Sequence, residues 1–110
     1  MFTRVVETTS KQGKARELCH SIDDKVLPIL KKQHGFVDEL VLVSDTEPNR
    51  VISISFWKTK EDAQLYEREQ FENVKNTIQN TLDGAPEVRT FDVHTSTAHR
   101  VIAQKAEQAA

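Results

Sequence analysis

The sequence predicts a single α+β domain of βαββαβ order: a four-stranded antiparallel sheet carrying two helices on one face. Three observations lead there. Apolar residues recur with a period of two in four segments and of three to four in two others, in the order strand, helix, strand, strand, helix, strand. The stretch from Val51 to Ala63 switches from the first period to the second across a capped junction. Finally, 110 residues without repeats, low-complexity tracts or linkers suit one domain around one core.

The first strand, 2–9, runs from Phe2 to Thr9 with Val5 and Val6 at its centre and ends at Ser10-Lys11-Gln12-Gly13. A helix over about 12–33 follows, because Ala15, Leu18, Cys19, Ile22, Val26, Ile29 and Leu30 fall three or four apart on one face. Pro28 lies within that pattern and lacks an amide donor, which predicts a kink between Asp24 and Pro28. Gly35, after His34, is the expected stop. Strands over about 36–45 and 50–58 are joined by Thr46-Glu47-Pro48-Asn49, a sequence suited to a tight reversal, and should pair antiparallel. On the third strand Ile52, Ile54 and Phe56 share one pleat face, while Val51, Ser53, Ser55 and Trp57 share the other. Small hydroxyls beside an indole make that mixed face read as a pocket wall.

Thr59 stands where an N-cap belongs, able to accept from the amide of Asp62, and Glu61 and Asp62 put negative charge on the positive end of the helix dipole. The second helix, about 60–82, turns Ala63, Tyr66, Val74, Ile78 and Leu82 inward, with the charged stretch Glu69 to Glu72 around Phe71 marking a break. Asp83-Gly84-Ala85-Pro86 closes it. The last strand, about 87–95, carries Phe91 and Val93 on one face and Val88, Thr90, Asp92 and His94 on the other. Residues 1–96 thus form the domain. Residues 97–110 form a tail whose apolar cluster is Val101-Ile102-Ala103; it either docks as a short helix on a neighbouring subunit or frays.

This order is the split βαβ, or ferredoxin-like, plan, with right-handed crossovers through both helices. It leaves one sheet face bare. With residues such as Val41, Val43 and Phe91 expected there, homodimerisation through sheet faces is the economical cover.

Fifteen basic against seventeen acidic residues give a net charge of −2, so no broad cationic field exists to hold nucleic acid or anionic lipid. No apolar run approaches the roughly 18 residues that span a bilayer, and the expected location is cytoplasmic. Cys19, the single cysteine, lies on the apolar stripe of the first helix and reads as a small core residue rather than a nucleophile. An RNA-recognition module shares the element order but needs stacking aromatics on one face and a basic surface. Here Phe56 and Trp57 lie on opposite faces of an acidic chain, so that class is excluded.

Several local features together resemble the antibiotic biosynthesis monooxygenase family over about 2–95. They are Gly13 after the first strand, Val26-Leu27-Pro28-Ile29-Leu30, His34-Gly35-Phe36, the Pro48-Asn49 hairpin, the junction Trp57-Lys58-Thr59-Lys60-Glu61-Asp62-Ala63, and Pro86-Glu87. The resemblance implies a dimeric α+β barrel and a cofactor-independent oxygenase of small aromatic, phenolic or quinol-type substrates, with no metal. Ground-state dioxygen is a triplet, so such an enzyme must form a substrate anion that surrenders one electron. It needs a dry pocket, a proton acceptor and donors for developing negative charge.

By that resemblance Trp57 is the tryptophan that lines the family's pocket, although core packing is the alternative use of a buried indole. Ser53 stands where a family oxygenase has asparagine. Ala63 replaces an expected tyrosine, with Tyr66 one helical turn further on, and Lys75 is the nearest cation to an expected arginine. Trp57, Tyr66 and His94 are therefore the candidate catalytic residues, and Ser53, Ser55 and Phe71 the candidate substrate-binding residues. His94 would serve as a general base, or else be a sheet-edge histidine. His20, His34 and His99 read as structural or solvated. No metal-ligand spacing occurs on one element. The family's haem-degrading branch uses a histidine late in the second helix, where this chain has Asn73-Val74-Lys75-Asn76, so haem turnover is not expected. A non-catalytic dimeric small-molecule-binding or stress-associated protein on the same scaffold is the competing class.

Overall fold

The computed structural model describes residues 1–101, in which strands β1 (Phe2–Thr9), β2 (Phe36–Val43), β3 (Arg50–Trp57) and β4 (Glu87–Asp92) form one antiparallel sheet in the order β2-β3-β1-β4. Helices α1 (Ala15–Ser21) and α2 (Leu27–Lys31), and the long α3 (Lys60–Ile78), provide the two crossovers. This is the ferredoxin-like plan. The expected strand ends at 45, 58 and 95 retreat to Val43, Trp57 and Asp92.

The bend expected before Pro28 takes the form of a π-helical turn, Ile22–Val26, between α1 and α2. Its closing bond runs from the Leu27 amide to the Ile22 carbonyl, five residues back. Pro28 removes the next donor, and the widened turn carries the chain past that gap while keeping Ile22, Val26 and Leu30 on the buried face. No break occurs at Glu69 to Glu72: α3 is continuous through them, because none of these residues disfavours the helix strongly and Tyr66 and Val74 anchor it on either side.

Leu18, Ile22, Val26 and Leu30 meet Val51, Trp57, Ala63, Tyr66, Val74 and Ile78 in one core between helices and sheet. Facing pairs in the register show which side of the sheet each residue takes. Val51, Ser53, Ser55 and Trp57 face the helices, so the mixed face of β3 serves both core and pocket, and the wholly apolar Ile52-Ile54-Phe56 face lies on the open side.

A bulge in β2 adjusts the expectation for the open face. Phe36 pairs with Trp57 but Asp38 pairs with Phe56, so Val37 is an extra residue and the alternation reverses after it. Val41 and Val43 consequently lie on the helix side, opposite Ser53 and Val51, and Leu40 and Leu42 replace them on the open face beside Phe91. The Glu39 amide, displaced from the ladder, donates to Asp38 Oδ1 at 2.8 Å.

Gly35 ends the first helical layer with φ +81°, and its carbonyl accepts from the Lys58 amide at 2.8 Å. A Cβ there would overlap the carboxylate of Asp62, which is fixed by His34 Nδ1 at 2.8 Å while its amide bonds the Thr59 hydroxyl at 3.1 Å. Gly35→Ala combines a left-handed backbone with that overlap, and thermal or urea unfolding should show a loss of about 2–4 kcal/mol. Thr59 is thus the N-cap the sequence predicts.

After β4 the chain crosses to the open face. A turn closed by paired Ser96–Val101 backbone bonds of 2.8 Å sets His99 on Phe56, ring centroids 4.8 Å apart, with Nε2 3.2 Å from Asp38 Oδ2. His99 is therefore packed rather than solvated. Residues 102–110, with most of the expected tail, lie outside the described residues. Among the described residues no helix is long and apolar enough to cross a membrane, and no three His, Cys, Asp or Glu side chains converge as a metal site.

Candidate active site

Across the sheet, Thr90 of β4 pairs with Arg4 of β1, Arg4 with Ser55 of β3, and Ser55 with Glu39 of β2. One polar residue from each strand thus stands in line on the helix-facing side. Strands lie about 4.8 Å apart, which separates Arg4 from Glu39 by about 10 Å at the backbone. Without the bulge at Val37, Glu39 would face outward.

Above this row the helices leave a cavity of about 40 Å³. Ile22, Val26, Leu30, Phe71, Val74 and Ile78 give it apolar walls, and Arg4, Glu39, Ser53, Ser55 and Tyr66 supply the polar groups. A cavity that holds benzene measures about 150 Å³. An aromatic ring is therefore admitted only when a lining side chain moves, and Phe71 is the large one left partly exposed.

Glu39 is the most perturbed acid facing this space. Burial pushes its carboxyl up to about 7; a bond from the Ser53 hydroxyl to Oε2 at 3.0 Å opposes this, and the charges of Asp23 and Asp38 add to it. It thus exchanges a proton near neutral pH, as a general base must. Tyr66, 3% exposed, behaves in the opposite way. Burial raises its phenol to about 12, against the nearby charge of Arg4, so it remains a hydrogen-bond donor.

Trp57 lies one layer behind the lining. It is fully buried, its ring stacks on Tyr66 at 5.1 Å and meets Phe36 edge-on at 5.7 Å, and Nε1 donates to Ser55 Oγ at 2.9 Å. The indole donor is occupied by protein. His94 follows the end of β4, is exposed, and is not among the cavity-lining residues. Of the six candidates, the cavity brings together Tyr66, Ser53, Ser55 and Phe71, with Trp57 bracing them.

Arg4 and Glu39 were not among the candidates. Arg4 was legible as a charged residue at an inward position between Phe2 and Val6 in the two-residue period. Glu39 gave only a weaker signal, an acid within the otherwise apolar run Leu40 to Val43, because its direction depends on the bulge.

A sequence model of the antibiotic biosynthesis monooxygenase family matches residues 1–71. No curated protein sequence matches the chain. Among solved structures, one from Bordetella bronchiseptica described by the same family name is similar with TM-score 0.75 at 12% identity, covering 84% of this chain and 95% of its own. SnoaB, a cofactor-independent oxygenase from Streptomyces nogalater, has TM-score 0.73 at 16% identity, covering 87% of this chain and 95% of its own. A Nitrosomonas europaea protein of the same family description has TM-score 0.71 at 15% identity, covering 84% and 98%. At these identities the likeness is one of fold.

Proposed function

Because the chain belongs to the antibiotic biosynthesis monooxygenase family, we propose that it is a cytoplasmic, cofactor-independent monooxygenase of a small phenolic or quinol-type aromatic. The observation that carries this reading is Glu39, an acid pushed up to about 7 at the wall of an apolar cavity that also presents the Tyr66 phenol. Glu39 removes the phenolic proton. The phenolate passes one electron to dioxygen, and the resulting radical and superoxide combine at a ring carbon bearing hydrogen. Loss of water from the hydroperoxide gives the quinone, so one oxygen atom enters product and the other leaves as water. Tyr66 donates to the oxygen anion, while Ser53 orients Glu39 and Ser55 holds Trp57. Phe71 yields to the incoming ring. His94 has no part in this scheme.

Oxygen-electrode measurements with hydroquinones and anthrone-like phenols test the proposal. Uptake well above autoxidation supports it; none across the panel overturns catalysis and leaves a binding protein.

The same reading includes a homodimer through the open sheet faces. Leu40, Leu42 and Phe91 are about half exposed there, with Ile52, Ile54 and Phe56 between them. A second copy would cover this patch. Sedimentation should give a dimer for the native chain and a monomer for Leu42→Glu, which places a charge on the exposed edge strand of the patch. A native monomer at micromolar concentration removes this part of the reading.

A further inference from the structure

Arg4 is a buried cation that the oxygenase scheme leaves without a task. It is 2% exposed. Its guanidinium covers the Phe71 ring at 4.4 Å and lies 5.1 Å from the Tyr66 centroid. Its Nη2 donates to Glu67 Oε1 at 2.9 Å, a glutamate whose side chain is 52% exposed, and a second side-chain bond joins it to the Tyr66 hydroxyl. A guanidinium has five N–H donors in a planar fork, so donors remain beyond these two partners on a side chain that lines the cavity. Taking such a charge out of water is unfavourable unless an anion meets it, and a partner standing in solvent meets it only partly.

Two spaces join at this side chain. One is the inner cavity; the other is a groove of about 120 Å³ between α3 and β4, bordered by Lys60, Gln64, Glu67 and Thr90. A second cation, Lys75, lies 5.5 Å from the Phe71 ring, paired with Glu72 at 3.0 Å. Phe71 therefore has two cations over its ring, each of whose acidic partners is exposed on α3. Glu39, the acid on the inner wall, is engaged by Ser53 at the far end of the polar row.

We propose that the cavity takes an aromatic acid. The ligand's carboxylate pairs with Arg4 in place of Glu67, its ring displaces Phe71 from the guanidinium, and its hydroxyl is directed toward Glu39. This rests on the proposed use of the cavity for a phenol and adds the charge that the phenol carries. Planar two-point pairing is what distinguishes a carboxylate from its amide at such a site.

Calorimetric titration without oxygen, at pH 6, of 4-hydroxybenzoate and the near-isosteric neutral 4-hydroxybenzamide tests the inference. The acid should bind at least about tenfold more tightly. Arg4→Met should bring the two to parity. Glu67→Gln, an exposed substitution that keeps the fold and removes the competing carboxylate, should raise the preference severalfold. Equal binding by the native protein, binding of neither compound, or a preference untouched by both variants overturns the proposal. Turnover is not needed for this readout. Parity with oxygen uptake intact on neutral phenols overturns the acid preference alone, whereas selective binding without uptake on any phenol sustains it as the oxygenase reading fails.

Discussion

Glu39→Gln should lower kcat/KM for a phenolic substrate by about 10²–10⁴, the range that loss of a positioned general base produces. The substitution preserves size and leaves an oxygen to accept from the Ser53 hydroxyl, which is 3.0 Å from Oε2 in the native protein. In the native protein, the proposed activity should rise with pH through a midpoint near 7, because a carboxylate base is competent only when ionised and this carboxyl is held up at about that value. Stability should move in the opposite direction. The folded state holds this proton more tightly than the unfolded state, so the group's contribution falls as pH rises from the ordinary glutamate range to about 7 and is then constant. Unfolding at pH 5 and pH 8 should therefore show Glu39→Gln gaining on the native protein by about 1–2 kcal/mol at the higher pH, allowing for partial exposure. An inactive variant with no relative gain would mean that the Glu39 carboxyl is needed but is not held above its ordinary range. A fully active variant would remove the base from the scheme.

Trp57→Ala should have the largest effect on stability, about 3–5 kcal/mol. The indole is fully buried, contacts Tyr66 and Phe36, and occupies the Ser55 hydroxyl, so truncation opens a hole under the cavity floor and frees a buried polar group. A domain of this size has roughly 5–15 kcal/mol in total, and the variant should melt far below the native protein. Trp57→Phe separates bracing from contact. Retaining a ring but losing Nε1–H, it should lose about 1–2 kcal/mol and keep KM within a few-fold, because Trp57 stands behind Tyr66 rather than on the lining. A hundredfold fall in turnover with an unchanged melting curve would place the indole against substrate instead.

Much of the architecture was legible because it depends on short-range rules. Alternation in β1 and β3, the three-to-four spacing from Ala15 to Leu30, the Thr59 cap and the Gly35 stop each act within a few residues, and all recur in the structure. Departures arise where distant parts of the chain decide. The charged stretch Glu69 to Glu72 looks like a break by local hydrophobicity, yet α3 stays whole because its neighbouring turns are anchored in the core by Tyr66 and Val74. Trp57 and His94 are good pocket residues by type. The first is fully occupied by Ser55 and Tyr66, and the second lies past the last strand pair.

Element order, a bare sheet face and the mixed face of β3 followed from the amino acids alone, since periodicity and capping are local and the family's motifs lie along one stretch of chain. Which acid enters the cavity did not. A single extra residue at Val37 reverses the side taken by every later residue of β2, turning Glu39 and Val41 toward the helices and Leu40 and Leu42 away. That bulge is set by pairing with β3 and by packing of Phe36 on Trp57, contacts between segments about twenty residues apart. Such contacts exist only once the sheet has formed, and from them come both the inward turn of Glu39 and the open apolar face.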